Sequence, residues 1–308
     1  MIKIILLLIL FNTLAQAKDN FADHSHRTLS KKVTSFAETV DNFFGKDRGN
    51  NRINKTRVRI YVDSLKKEGN IPITEVNIKL QLVLPKTQER LQFILESEDD
   101  SDNITTTSSR AQRATGRGET AGEKVRDSTT AGFRYLLDSA SLKTSIGTGV
   151  IFDTVSPRPF YRLRIFRDAQ FGKWLFRPQQ EIFYVSANGH STDTDLDLNK
   201  SINSYWSFRF VNNIQWNDND YFVNFQNGPS WFQKISEKIG MSYNAHIFSA
   251  NQPAFQINNY SLSVGYRQLL YKDWFFWTLT PALNFPRDNN FHRTPSLAVR
   301  FETIIGNI

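Results

Sequence analysis

Hydrophobic and polar residues alternate along most of this 308-residue chain. Val58, Ile60 and Val62 alternate with polar neighbours near the start, and the row from Leu297 to Ile305 does so near the end. Alternation over about 9–11 residues is typical of a strand with one apolar and one polar face. Roughly fourteen such segments begin near residues 56, 76, 89, 130, 142, 159, 173, 193, 205, 220, 237, 257, 274 and 295, an even number as bacterial barrels require. The segments near 130, 193 and 220 are the weakest, so the count could be twelve or sixteen.

The connections between these segments alternate in length. If both termini lie on the inner side of a membrane, the outer connections are 64–75, 99–128, 154–158, 187–192, 214–219, 249–256 and 286–294. The inner ones are 85–87, 138–141, 168–172, 200–204, 232–236 and 270–273. Long outer loops and short inner turns are typical of outer-membrane barrels. The sequence therefore predicts an all-β fold, a transmembrane antiparallel up-and-down β-barrel of about 14 strands (12–16).

Tryptophans support this arrangement. Trp174, Trp206 and Trp274 each follow an inner turn directly, and Trp277 lies close to the last of them. Tryptophans concentrate where a membrane meets water, so we predict that these four form an aromatic girdle at the inner end of the barrel.

A soluble β-barrel or sandwich shows the same alternation, with the apolar face turned into a core. A soluble barrel of about fourteen strands, however, would need an interior wider than side chains can fill. The size of the sheet therefore favours the membrane interpretation.

The N-terminus has the pattern of a secretory signal. Lys3 precedes an apolar run from Ile4 to Phe11, and the small residues Ala15 and Ala17 predict cleavage after Ala17. The alternative is a hydrophobic helix that stays on the protein, but the run is shorter than the about 20 residues that span a bilayer. We expect a signal peptide at 1–17, a periplasmic lead and amphipathic helix at 18–53, and the barrel at 54–308.

The amphipathic helix is predicted at residues 30–44, where apolar residues recur at helical spacing. Through Phe36, Val40, Phe43 and Phe44 it would either plug the lumen or lie flat on the inner leaflet. A third alternative is a segment that stays disordered until a partner binds.

Composition narrows the classes further. The chain has no cysteine, so it depends on no disulfide, and no later run is apolar enough for a helical span. The net charge is +8, but the basic residues are spread along strands, which argues against nucleic-acid binding. No metal-ligand cluster or cofactor motif is present in the sequence.

If the apolar faces meet lipid, the polar faces line a lumen that favours anions. The predicted basic lining is Arg57, Arg59, Lys79, Arg90, Arg134, Arg162, Arg164, Arg209, Arg267 and Arg300. The predicted acidic lining is Glu181, Asp195, Asp197 and Glu302. The alternative is an internal network of ion pairs that fills the barrel and holds its shape, because buried charges need partners.

The preferred function is a passive channel for small polar or anionic solutes. The second candidate is a closed structural or surface-interaction barrel whose loop 99–128 meets a partner. The third is a rim hydrolase using His190 and Ser191, but adjacent residues on a strand point to opposite faces and cannot readily form a nucleophile–base pair. We expect no catalytic residue, cofactor or metal.

The C-terminal third resembles uncharacterised gammaproteobacterial outer-membrane barrels. The likeness lies in Tyr266-Arg267, in 272–276 (KDWFF), in Pro281, in 285–287 (FPR), in Arg300-Phe301-Glu302 and in Gly306, with a similar start at 43–45 and 54–59. These motifs are structural, so the resemblance implies a barrel and carries over no functional residue. For a barrel of the outer membrane we expect outer-membrane lipid, lipopolysaccharide and, during biogenesis, the barrel-assembly machinery as partners. Such barrels often end in an aromatic residue, whereas this sequence ends in Ile308.

Overall fold

The strands form one antiparallel sheet that closes on itself. A computed structural model of the chain describes residues 26–31, 56–83, 90–96, 129–138, 142–152, 156–186, 189–218 and 222–306. The strands are β1 (Arg57–Lys67), β2 (Ile73–Val83), β3 (Leu91–Glu96), β4 (Thr129–Asp138), β5 (Lys143–Phe152), β6 (Pro157–Phe166), β7 (Ala169–Phe171), β8 (Trp174–Val185), β9 (Gly189–Ser201), β10 (Trp206–Asn217), β11 (Phe222–Lys234), β12 (Ile239–Ala250), β13 (Gln256–Tyr271), β14 (Phe275–Pro286) and β15 (Thr294–Gly306).

Each long strand pairs with its neighbours in sequence, and β1 pairs with β15 from Arg57↔Gly306 onward. The three-residue β7 continues β6 after a break at Arg167 and Asp168, and it pairs with β8, which also pairs with β6. Without β7, the described residues form fourteen strands that close an up-and-down barrel. The predicted antiparallel up-and-down barrel and its number of strands are therefore confirmed.

We call the end where β1 begins and β15 finishes the turn end, and the opposite end the loop end. Short connections such as Gly172-Lys173 lie at the turn end, and Gly172 has a positive φ of 60° that favours glycine. The connection between β3 and β4 lies at the loop end and is the longest between strands.

Several predicted loop boundaries are wrong, because strands extend into the predicted connections: β1 ends at Lys67, inside 64–75, and β10 ends at Asn217, inside 214–219. β2 begins at Ile73 and β9 at Gly189, so His190 and Ser191 are strand residues and not loop residues. At the start of β9 the apolar pattern that marks a strand is missing, because its first three outward-facing positions hold His190, Thr192 and Thr194.

The two faces of the sheet differ in the sense that a membrane requires. On the strands β11 to β15 the buried side chains are mainly polar, with Ser261 and Asn284 at 1% and 0% exposure. The alternate positions hold large apolar side chains such as Leu262 and Leu283, which are 51% and 43% exposed. A soluble barrel has the opposite arrangement. The apolar face therefore points outward and the polar face lines the lumen.

A short helical segment, residues 26–31, packs against the turn end. The His26 ring stacks on Trp274, with centroids 4.5 Å apart, and its Nε2 lies 2.8 Å from the carbonyl oxygen of Ile304. The backbone N–H of Gly306 donates to Ser30 Oγ at 3.1 Å. Residues 32–44 of the predicted amphipathic helix, and its proposed plug residues, lie outside the described residues, as does the predicted signal peptide. No helix in the ranges that the structure describes is long and apolar enough to cross a membrane.

Candidate channel lumen

The charged residues that we predict to line the lumen lie on the inner face of the sheet or at its turn end, and their role in a water-filled path stays a prediction. Strand alternation places Arg57, Arg59, Lys79, Arg134, Arg162, Arg164, Arg209, Arg267 and Arg300 on the inner face, with Glu181, Asp195, Asp197 and Glu302. Arg90 is exposed and immediately precedes β3, so it lies at the turn-end mouth.

Two arginines of β6 meet one glutamate of β8. Arg164 donates from Nε to Glu181 Oε2 at 2.7 Å, and Arg162 Nε lies 3.4 Å from Glu181 Oε1. The Arg162 guanidinium also lies 4.8 Å from the centroid of the Phe183 ring. This cluster joins the two strands where β6 meets β8, and all three charged side chains are less than one-fifth exposed.

Aspartates form a row along the lumen face of β9. Asn213 donates to both Asp193 and Asp195, the latter at 2.7 Å, and Gln215 donates to Asp193 at 2.8 Å. Further along, Asp197 lies 3.7 Å from Arg209. Neutral amides thus provide several of the hydrogen bonds that these carboxylates accept, and an amide does not cancel the charge of a carboxylate. The aspartate row is therefore a local concentration of negative charge, separated by β8 from the arginines of β6.

Ion pairs also join strands elsewhere on the lumen face. Arg267 lies 2.6 Å from Glu302, and Lys79 lies 3.6 Å from Glu96. Arg300 pairs with Asp63, which sequence reasoning missed together with Asp193. Alternation along β1 could have identified Asp63 as a lumen residue, because it lies two residues after Tyr61 and on the same strand face as Arg59.

The wall formed by β11 to β15 is neutral over most of its height and consists of small polar side chains. Ser261 donates to Asn284 at 2.9 Å, and Asn284 donates to Ser296 at 3.1 Å. On β12, His246 Nε2 lies 3.2 Å from Ser230 Oγ. The hydrogen bonds of this wall run mainly between neighbouring strands, which holds the barrel together without charge.

A cavity of about 500 Å³ opens at the turn-end mouth of the lumen. Its lining includes Phe232, Arg267 and Phe276, and the guanidinium of Arg267 lies 4.4 Å from the centroid of the Phe276 ring. The mouth therefore combines aromatic faces with a cationic group.

At the turn end of the lumen face, Asp168 follows β6 and lies between two basic residues. Arg177 donates to it at 2.6 Å and Lys143 lies 3.4 Å away. The hydrogen bond from Arg177 is the main cause that lowers the pKa of Asp168 below its usual 3.8, although partial burial opposes it.

The residues of the hydrolase alternative do not meet. His190 faces outward and its Nε2 lies 2.7 Å from the Tyr161 hydroxyl, whereas Ser191 Oγ is 3.5 Å from the carbonyl oxygen of Phe183. A nucleophile and its base must be within hydrogen-bond reach of each other. In the described ranges, no group of three or more His, Asp and Glu side chains is arranged to hold a metal ion.

The predicted girdle residues lie towards the turn end. Trp174 and Trp206 begin β8 and β10 on the outward face, and Trp274 immediately precedes β14. Trp277 faces outward on β14, where its indole N–H donates to Gln268 at 3.1 Å. Their contact with a membrane interface stays a prediction.

No family model and no curated protein matches the chain. Among solved structures, in-vitro folded OmpT of Vibrio cholerae is 8% identical with a TM-score of 0.44, over 81% of this chain and 96% of that one. The outer membrane channel DcaP of Acinetobacter baumannii is 6% identical with a TM-score of 0.43, over 81% and 96%. A KdgM porin in complex with disordered oligogalacturonate is 7% identical with a TM-score of 0.40, over 80% and 98%.

These neighbours are outer-membrane β-barrels, the class that the sequence predicts for this chain. The narrower resemblance to uncharacterised gammaproteobacterial barrels stays a prediction.

Proposed function

We propose that this protein is a passive channel of the outer membrane for small polar or anionic solutes. The observation that carries the proposal is the inverted barrel, with polar side chains inside a closed fourteen-strand sheet and apolar side chains outside. Barrels of about eight strands are filled by side chains, whereas those of 16–18 strands hold water. A barrel of fourteen strands is closer in size to the water-filled group. Outer-membrane lipid and lipopolysaccharide would surround the apolar face, and the barrel-assembly machinery would insert it.

The preference for anions rests on the balance of charge along the lumen face. Basic side chains outnumber acidic ones on the described lumen-facing positions. Rings of arginine and lysine favour anions in a pore, because they raise the local concentration of negative solutes. The aspartate row on β9 opposes this effect over one sector of the lumen.

The experiment that tests this proposal measures the reversal potential of single channels in a planar bilayer with a salt gradient across it. Wild-type protein should conduct with a preference for anions. Arg162→Gln combined with Arg164→Gln should shift the reversal potential towards cations, and Asp193→Asn combined with Asp195→Asn should shift it further towards anions. Lys200→Gln is the matched control, because it removes a positive charge from the outward face, where Lys200 lies 4.8 Å from the Trp174 ring centroid.

The second candidate is a closed barrel with a structural or surface-interaction role. It is favoured by the burial of the neutral wall, where Ser230 and Asn259 are both 0% exposed. Protein that is inserted in the bilayer, shows heat-shifted gel mobility and yet passes no current would establish this candidate and contradict the channel.

A further inference from the structure

Four polar side chains interrupt the apolar outward face on adjacent strands. Gln180 of β8, Thr194 of β9, Asn212 of β10 and Asn227 of β11 all lie near the middle of their strands, and we call them the polar row. Their neighbours in sequence, such as Asn213 and Gln226, are buried on the lumen face. Because side chains alternate along a strand, the polar row faces outward.

The strand register brings these residues together. Gln180 is the register partner of Thr194, and Asn212 is that of Asn227. Thr194 donates to Gln180 at 2.7 Å, and Asn212 donates to the carbonyl oxygen of Leu196 at 3.1 Å. Gln180 also donates to the backbone carbonyl oxygen of Glu181 at 3.2 Å. Within the described residues, neither the side-chain carbonyl oxygen of Asn212 nor the side-chain amide of Asn227 has a hydrogen-bond partner. The polar row therefore presents unused donors and acceptors at the depth of the bilayer core.

Lipid cannot satisfy these groups. An unpaired polar group in hydrocarbon is strongly unfavourable, because no water is present to hydrogen-bond it. Most of the corresponding outward positions elsewhere are apolar, as at Ile60, Leu262 and Leu297, and Thr148 on β5 donates its hydroxyl to the backbone carbonyl oxygen of Phe160 at 3.1 Å. The polar row is thus concentrated in one sector of the barrel, where aromatic side chains such as Phe208 and Trp231, with ring centroids 5.4 Å apart, lie beside it.

We propose that the outward face of β8 to β11 is an interface with a second copy of this chain, in which the same face of both copies meets. The depth of the polar row requires a partner that is itself embedded in the membrane. The row carries no charge, so lipid phosphate has no ionic partner in it. Its amides both donate and accept, which makes the face self-complementary, as a two-fold contact requires. Polar side chains join membrane segments in the same way when they hydrogen-bond across the contact.

The first test uses the absence of cysteine from the chain. A two-fold contact centred on this face brings the central strands β9 and β10 of one copy opposite those of the other, so the cysteine is placed at Asn212 on β10. Asn212→Cys and, as a matched control, Leu262→Cys on β13 are each expressed in full-length protein and oxidised in native membranes with copper phenanthroline. Asn212→Cys should give at least tenfold more disulfide-linked dimer than Leu262→Cys. An equal yield from the two variants would overturn the proposal.

The second test measures mass in detergent by sedimentation equilibrium. Wild-type protein should be a dimer, and Asn212→Leu combined with Asn227→Leu should raise the dimer dissociation constant at least tenfold while the heat-shifted gel mobility is retained. A monomeric wild type, or a double variant that dimerises as tightly as the wild type, contradicts the interface. Neither result depends on whether the barrel conducts, so this proposal and the channel fail separately.

Discussion

Arg300 and Asp63 form a bidentate ion pair that joins the last strand of the barrel to the first. Arg300 Nε donates to one carboxylate oxygen at 2.6 Å and its terminal nitrogen to the other at 2.9 Å. The two residues are 237 positions apart, and both side chains are less than one-fifth exposed. Paired donors of this kind fix geometry as well as contributing energy.

Asp63→Asn should therefore weaken the closure of the barrel. We expect the free energy of unfolding to fall by about 1–3 kcal/mol, because a charge-assisted pair is lost in a poorly solvated position. The measurement is a urea titration followed by heat-shifted gel mobility. Asp168→Asn is the control, since the more exposed pair of Asp168 with Arg177 should contribute at most about 1 kcal/mol. A loss for Asp63→Asn that is below about 1 kcal/mol and no larger than that for Asp168→Asn would contradict this contribution of the ion pair to barrel closure.

The contribution of Asp168 should depend on pH. Its pKa in the folded protein is lower than the usual 3.8, so the stabilisation is complete above pH 3.8 and is lost as the pH falls through the folded value. Unfolding titrations of wild type and Asp168→Asn should thus differ at pH 7 and converge below pH 3.8. A difference that persists unchanged into that acidic range contradicts the ion pair with Arg177.

Gly228 on β11 should tolerate no side chain. Its φ is +154°, and an added Cβ would collide with the carbonyl oxygen of Ala245 on β12. We expect Gly228→Ala to destabilise the barrel by more than about 1 kcal/mol. Gly240→Ala is the control, because its Cβ would have no neighbour closer than the Gln233 carbonyl oxygen at 3.8 Å. Similar urea midpoints for the two variants would contradict this close approach of β11 to β12.

The contact between His26 and Trp274 should hold the segment 26–31 against the barrel. His26→Ala removes a ring stack and a hydrogen bond, each worth about 0.5–1.5 kcal/mol. Trypsin should then cleave after Arg27 and Lys31 about tenfold faster than in the wild type, with Thr28→Ala as control. Unchanged cleavage in His26→Ala would mean that the stack contributes nothing to docking.

Alternation alone was enough to predict the fourteen long strands and the order of loops and turns, because a two-residue period is a local property of each strand. The start of β9 was missed where Thr192 and Thr194 hold outward positions that are apolar on other strands. The short β7 was also missed, since three residues inside a turn show no period.

The partners of the lumen charges could not be predicted in the same way. A pair such as Arg300 with Asp63 depends on the register between β15 and β1, which neither strand reveals by itself. The same holds for the polar row, because Asn212 and Asn227 become neighbours only through the pairing of β10 with β11. Which face a residue occupies is readable from one strand, whereas which residues touch is not.

The proposed channel requires that the polar face lines a water-filled path and that the apolar face meets lipid. Thr278 and Leu279 are adjacent on β14 and point to opposite faces, and Thr278 lines the cavity at the turn-end mouth. In the cysteine-free chain, Thr278→Cys and Leu279→Cys can each be treated with a charged, water-soluble thiol reagent during single-channel recording. We predict that the reagent changes the current through Thr278→Cys and leaves that through Leu279→Cys unaltered. A changed current through Leu279→Cys alone, or no current from either inserted protein, would contradict the proposed channel.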